Sequence, residues 1–371
     1  MKKSLYLLPF LFCSFATKAQ SNDYNLIIGT YTNTGKSEGI YVYDFNTKTA
    51  AFRAKCITKN VINPSYLALS EDKAFVYAVN EDGDHSMVSA FSFDPAKGNM
   101  EFLNKLDTKG ADPCYVIADE HHVITANYSG GSISVFGRDS LGAVTGPKQV
   151  IQHSGGSINK DRQQGPHVHQ VRFSPDRKYI ISNDLGTDKI YVYKYQPSDA
   201  SNVLVAHDSV VVKAGTGPRH ITFSKDGKFA YLMTEMGANV NVYGYQNGKL
   251  TLLQEMLVND KDFKGENGGA DIHLTPNGKF LYVTNRGTAN SITRFAVQPN
   301  GKLIKKSEIP TQGKGPRNFA IDPSGNYLLV AHQYTNNVVI FKINKETGAL
   351  TDTGKRIEVG APVCLVFTPA G

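Results

Sequence analysis

Residues Gly165 to Tyr193 read GPHVHQVRFSPDRKYIISNDLGTDKIYVY, and this stretch decides the fold. Its apolar residues fall in short blocks rich in Val, Ile, Tyr and Phe, broken by Ser-Pro-Asp and by Asn-Asp-Leu-Gly-Thr-Asp. Such blocks between turn formers are strands, because β-branched and aromatic side chains suit a pleated, packed surface. The unit is therefore strand, tight turn, strand, polar loop, strand.

The same unit recurs in both directions. Upstream it is NPSYLALSEDKAFVYAVNE from Asn63 and DPCYVIADEHHVITANYSGGSISVF from Asp112. Downstream it is GPRHITFSKDGKFAYLMTEMGANVNVY from Gly217, GADIHLTPNGKFLYVTNRGTANSITRF from Gly269 and GPRNFAIDPSGNYLLVAHQYTNNVVIF from Gly315. The starts lie about 46 to 53 residues apart, which fits four strands plus turns per propeller blade. A seventh unit is split: APVCLVFTP (Ala361 to Pro369) reads as a first strand, and NLIIGTYTNTGKSEGIYVYDFN (Asn25 to Asn46) as a second and third. Joining them closes a ring with no open sheet edge, a complementarity that a β-sandwich would not need. The expected fold is all-β, a seven-bladed β-propeller of four-stranded blades, one domain over residues 20–371.

Residues 1–19 read as a cleavable export signal: Lys2 and Lys3, an apolar run from Leu5 to Phe15, then Thr17-Lys18-Ala19 before Gln20. The run is too short to span a bilayer, and bulky Phe12 before Cys13 argues against a lipid-attachment site. The expectation is a periplasmic or extracellular protein with no membrane contact after cleavage. Losing three lysines lowers the formal charge from +7 to +4, and no Lys/Arg cluster remains to track a phosphate backbone, which speaks against nucleic acid. Cys56, Cys114 and Cys364 remain, an odd set that cannot pair fully within one chain. They read as small buried apolar residues.

Superposing the units picks out unusual residues by column. The opening position of the first strand holds Ser65, Cys114, His169, Arg219, Ala270, Arg317 and Val363. The end of the second strand holds Asn80-Glu81, Asn127-Tyr128, Asp184-Leu185, Thr234-Glu235, Asn285-Arg286, His332-Gln333 and Thr30-Tyr31. Consecutive strands run antiparallel, so both columns face one mouth of the propeller. That mouth is expected to collect His167, His169, Arg219, His220, Glu235, Arg286 and Arg317, with Asn127, Asp184 and Asn285 between them. Polar residues in a wet channel ordinarily need only solvent or one another. Three arginines converging with few carboxylates point further, to an anionic partner.

Other polar residues carry less. His121 and His122 fall in the turn at the opposite rim and read as solvated, while His153, His207 and His273 are scattered singly and read as structural. No His/Cys/Asp/Glu grouping has a metal spacing, and no cofactor motif is present. NYSGGSIS joins two strands and is a hairpin turn, not a phosphate loop. The absence of a GxSxG elbow argues against an α/β-type serine hydrolase.

The stretches IGTYT, NPSYLAL, YAVNE, DPCYV, ANYSGGSISVF, GPHVHQV, NDLGTDKIYVY, GPRHITF, GGADIHLTPNGKFLYVTNRG and GPRNFAIDPSGNYLLVA, in this order from about Ile27 to Phe367, resemble the lactonase family of seven-bladed propellers. That family includes propeller-type 6-phosphogluconolactonases and 3-carboxy-cis,cis-muconate lactonizing enzymes. In the lactonizing branch the resemblance implies catalytic groups at His167 or His169, Arg219, Glu235 sixteen residues on, and Arg286. It implies a lactone hydrolase acting on a sugar lactone or other anionic small molecule. From the mouth columns, Arg286, Arg317, His220, Asn127, Asp184 and Asn285 are expected to contact substrate, and no cofactor is expected. Arg219 would meet the oxyanion or an anionic group, His169 or His167 would move the proton, and Glu235 would orient Arg219 or act as base. A lactone-forming cycloisomerase and a non-catalytic binding propeller are the alternatives. Export makes a phosphorylated intracellular lactone an unexpected substrate.

Overall fold

Twenty-eight strands among the described residues form seven four-stranded antiparallel sheets, as the repeats require. The structure is a computed structural model that describes residues 22–260 and 262–371, so the expected leader at 1–19 lies outside the described residues. Blades one to six follow chain order, and their innermost strands are Leu67–Leu69, Pro113–Ala118, Val168–Phe173, Pro218–Phe223, Gly269–Leu274 and Pro316–Ile321. Blade seven is the split one. Its innermost strand, Pro362–Pro369, pairs with Asp23–Thr30, which continues outward to Gly39–Asn46 and Phe52–Lys59. Neighbouring innermost strands touch all the way round, so the ring is closed.

The second strands, such as Tyr179–Asp184 and Phe229–Thr234, are buried almost throughout because both faces pack against neighbouring blades. This is why they are continuous apolar runs, whereas outer strands such as Val144–Gln152 alternate toward solvent. The core is a series of clusters between blades, for example Ile124, Ile133 and Val135 of blade two against Val168, Val171 and Ile180 of blade three. No helix among the described residues is long and apolar enough to cross a membrane.

Two turns repeat with the blades and explain the motifs. At the mouth, the residue before the first-strand proline has positive φ: Asn63 (36°), Asp112 (50°), Gly217 (67°) and Gly315 (70°). Gly, Asn and Asp hold that backbone at least cost, hence the N-P, D-P and G-P starts. At the opposite rim, hydroxyls of Ser174, Ser224 and Thr275 donate to Asp176, Asp226 and Asn277 at 2.6, 2.7 and 2.7 Å. The same hydroxyls accept the N–H of Tyr179, Phe229 and Phe280 at 3.0, 2.9 and 3.1 Å. Each tight turn is thereby fixed from inside.

Candidate active site

The mouth side chains are aimed by a backbone irregularity. In blades three, four and six the innermost strand slips register between Val168 and Gln170, Pro218 and His220, and Pro316 and Asn318. His169, Arg219 and Arg317 are the extra residues at these bulges, and Cys114 and Val363 take the same place in blades two and seven. A bulge rotates one side chain out of the alternating pattern, and here it does so at the channel end of each blade.

Those side chains frame a cavity of about 360 Å³ lined by Glu81, Asp112, Cys114, Tyr128, Ser129, Arg162, His169, Glu235, Arg286 and Arg317. Arg219 and His220, with Ser65, Tyr66 and Asn318, line a small adjoining pocket that shares Glu81, Cys114, His169 and Arg317 with it. A larger cavity of about 640 Å³ lies beside the outer strands of blades seven and one, lined by Val61, Ile62, Met87, Phe91 and Phe102 among others. Its lining also carries Lys59, Lys105, Asp82 and His85, but it lies on the outer strands, away from the mouth where the column residues meet, so chemistry is assigned to the smaller cavity.

One wall is organised by Glu235. Its Oε2 accepts from Arg219 Nε and Arg286 Nη2, both at 3.0 Å, and its Oε1 accepts from Arg162 Nη2 at 2.8 Å. Burial opposes ionisation of this carboxyl, but Arg286, Arg219 and Arg162 overcome it and hold its pKa well below the usual carboxylate range. Arg219 is fully buried, and its Nη1 donates to the Ala270 carbonyl at 2.5 Å. Burial, Arg286 and Arg317 lower its pKa to about 10 against the pull of Glu235, which still leaves it charged at neutral pH. The His169 Nε2 lies 3.9 Å from Glu235. Burial and four nearby basic groups, Arg219, His220, Arg317 and Arg286, push its pKa well below the ordinary value, so the ring is neutral. His220 is hydrogen-bonded to Asp271 at 2.8 Å, which also binds His273 at 2.9 Å.

The opposite wall holds Glu81 and Arg317. Glu81 accepts from the Tyr31 hydroxyl at 3.0 Å on both oxygens and from the Ser65 hydroxyl. Burial raises its pKa, and Asp112 adds to the shift against the pull of Arg317 and of the two hydroxyl donors. The Arg317 guanidinium sits 5.5 Å from the centre of the Tyr31 ring and makes no hydrogen bond or ion pair among the described residues. The cavity-lining Cys114 has its thiol pKa raised by burial and Glu81, so it is protonated and not a thiolate nucleophile.

The structure brings His169, Arg219, His220, Glu235, Arg286 and Arg317 together as the columns require. It separates the rest. His167 stacks on Tyr128 at 4.6 Å and its Nδ1 contacts the Tyr128 carbonyl at 3.0 Å, without lining the cavity. Asn127 binds Ser132 and Ser134, Asp184 accepts the N–H of His167, Gly186 and Thr187, and Asn285 binds Gly268 N–H and Asn259. All three are fully buried and fasten turns, so their side chains do not reach the cavity. The expectation of arginines with few carboxylates is also corrected, since Glu235 receives two of them, Arg219 and Arg286, together with Arg162, and Glu81 and Asp112 share the lining. His122 is buried against the Tyr195 hydroxyl at 2.8 Å rather than solvated, and Cys56 is only half-buried. Sequence reading passed over Glu81, which stood in the second-strand column, and Arg162, which lies in a long loop outside any repeat.

A closed seven-bladed propeller with a charged, ligand-sized cavity at one mouth is a binding or enzymatic propeller by its geometry. The family model described as "Lactonase, 7-bladed beta-propeller" matches residues 25–367, and the chain belongs to that family. It is 35% identical over 351 residues to the 6-phosphogluconolactonase of Formosa agariphila, covering 92% of this chain and 99% of that one. It is 35% identical over 345 residues to the 6-phosphogluconolactonase of Bacillus subtilis, covering 92% and 97%. Among solved structures, the periplasmic gluconolactonase of Pseudomonas aeruginosa superposes with a TM-score of 0.90 at 34% identity, over 94% of this chain and 100% of that one.

Proposed function

We propose that the protein is a carboxylic-ester hydrolase that opens a sugar lactone in the mouth cavity. The observation that carries this reading is the convergence of Arg286, Arg317 and neutral His169 on one polar cavity, with Arg219 in the small pocket that adjoins it, in a chain of the lactonase family. Hydrolysis of a cyclic ester places negative charge on the carbonyl oxygen, and guanidiniums fixed in a partly dry site stabilise it without reorganising. Glu235 holds Arg219 and Arg286 in place, and being strongly ionised it serves as their anchor. His169 bounds the same space as a neutral donor or acceptor for the lactone's oxygens. The named relatives are hydrolases, which disfavours lactone formation and simple capture as the primary activity.

Export through the segment at 1–19 would present the cavity to lactones outside the cytoplasm, and the Pseudomonas protein bears a periplasmic name. The substrate inferred is therefore an unphosphorylated or uronic sugar lactone. The test is base consumption at constant pH with purified protein and a panel of plain, uronic and phosphorylated sugar lactones. Turnover of at least one sugar lactone well above the spontaneous rate is expected. No enzymatic acid release from any of them would overturn the assignment.

A further inference from the structure

The two glutamates lining the cavity stand in opposite surroundings. Glu235 accepts from three guanidiniums, so its lone pairs are engaged by cations and its basicity is low. Glu81 accepts only from neutral donors, Tyr31 and Ser65. The Tyr31 hydroxyl is itself held protonated, since burial carries its pKa above the ordinary value despite the pull of Arg317. His169 is the other candidate proton acceptor, but buried among Arg219, Arg317 and Arg286 it is a weak one. When two carboxyls in one site are driven apart in this way, the one with the raised pKa is the group fitted to exchange a proton near neutrality.

The arginines divide likewise. Arg162, Arg219 and Arg286 each donate to Glu235. Arg317 has only the Tyr31 ring beneath it and no hydrogen-bonding partner among the described residues. A half-buried guanidinium with five donors seeks a planar or anionic oxygen acceptor. Tyr31 links the two groups, with its hydroxyl on Glu81 and its ring face under Arg317.

The geometry points to Glu81 as the general base that activates water and to Arg317 as the guanidinium that receives the lactone carbonyl oxygen, an assignment that rests on the lactone-hydrolase reading. Water oxygen bonds to the carbonyl carbon as Glu81 takes one water proton, and the carbonyl π pair moves onto the oxygen facing Arg317. When that pair returns, the bond from the carbonyl carbon to the ring oxygen breaks, and the proton held by Glu81 passes to the departing ring oxygen. The product is a hydroxy acid, which releases its proton to solvent. No oxidant, metal or further reactant is needed to balance the step.

The experiment is the pH dependence of kcat/KM for wild type, Glu81→Gln, Glu81→Ala and Arg317→Met on a lactone that the wild type turns over. Glu81 faces Tyr31, Ser65, Arg317, Asp112 and Cys114, and none of these is altered in the two Glu81 variants. The wild type should show an acidic limb above the ordinary carboxylate range, and Glu81→Gln should lose both that limb and about 10²-fold or more of the rate at unchanged melting temperature. Added formate should restore part of the Glu81→Ala rate, which a merely structural role would not allow. Arg317→Met should lower kcat by about 10²-fold or more. Glu81→Gln with wild-type rate and limb overturns the base assignment while leaving the hydrolase reading intact. If the variants fail to fold, a wild-type profile without an acidic limb overturns it instead. A wild type that opens no lactone removes both.

Discussion

The innermost strands differ at their two ends. At the opposite rim, pairing to the second strand is regular, and the same hydroxyl-to-Asp/Asn turn bond is repeated in blades three, four and five. At the mouth, the register slips in blades two to seven, and the residue freed by the slip in blades two, three, four, six and seven is Cys114, His169, Arg219, Arg317 and Val363, a set that no single side-chain type covers. Repetition at one end builds the ring, and variation at the other builds a site. The lesson is that a propeller separates stability from chemistry along each strand, with local rules obeyed at one end and broken at the other.

The largest effect should follow from breaking the mouth's charge balance. Glu235→Ala leaves Arg219 and Arg286 without their buried counter-charge, and an unpaired buried charge costs about 3–5 kcal/mol. We expect chemical denaturation to show a loss of that size, with hydrolysis abolished and the remaining folded protein still all-β by circular dichroism. A variant within about 1 kcal/mol of wild type would mean that the arginines need no such anchor, because surface-like changes fall in that range. The contrast between the two ends would then fail on its energetic side.

Much of this contrast is legible in the sequence. The blade repeat, the split seventh blade and the rim shared by Arg219, Glu235 and Arg286 follow from strand periodicity and antiparallel order. The bulges do not, because a register slip leaves no mark in composition. Without them Asn127, Asp184 and Asn285 look equivalent to their neighbours, whereas their side chains turn inward to fasten loops. Glu81 was in plain view in its column, yet what singles it out is the neutrality of its donors, a property of packing. Arg162 could not be placed because loops between repeats have no period, and only the folded chain brings it within 2.8 Å of Glu235.

A smaller effect, also confined to the mouth half and core, is acid sensitivity. Burial and nearby positive charge lower the pKa of His169, and of His220 and His332 to about 4, so the folded state resists protons that the unfolded chain accepts below about 6.5. Between these values the unfolded state binds more protons, so stability is full above pH 6.5 and falls as the pH drops toward 4. Glu235 and Asp271, both depressed, extend the loss below their ordinary values. Glu81 acts with the opposite sign, adding stability at low pH that is lost as the pH rises through its elevated pKa. The expected net change from pH 7 to 4.5 is a destabilisation, because three rings lose stability over this interval and Glu81 opposes them. A melting profile that stays flat over this interval would show that the buried rings take up protons without resistance.

The smallest effect belongs to the opposite rim, and it is the sharpest check on the division of labour. Ser224→Ala removes the donor to Asp226 and the acceptor for the Phe229 N–H, so one turn loses two hydrogen bonds. A neutral hydrogen bond contributes about 0.5–1.5 kcal/mol net and one to a charged group about 1.5–3, but because this turn is reachable by water the loss should sit near one neutral bond. The equivalent Ser174→Ala removes the same pair in the next blade, and the two turns share no hydrogen-bonding partner. Their effects should therefore add, to about 1–3 kcal/mol in the double variant. Neither residue touches the cavity, so kcat/KM on the preferred lactone should equal that of wild type at temperatures well below melting. A fall in kcat/KM without a fall in melting temperature would mean that strain at the far turn reaches the bulge through the innermost strand. The two ends would then be one mechanical unit, and the regular rim would belong to the site it was set against.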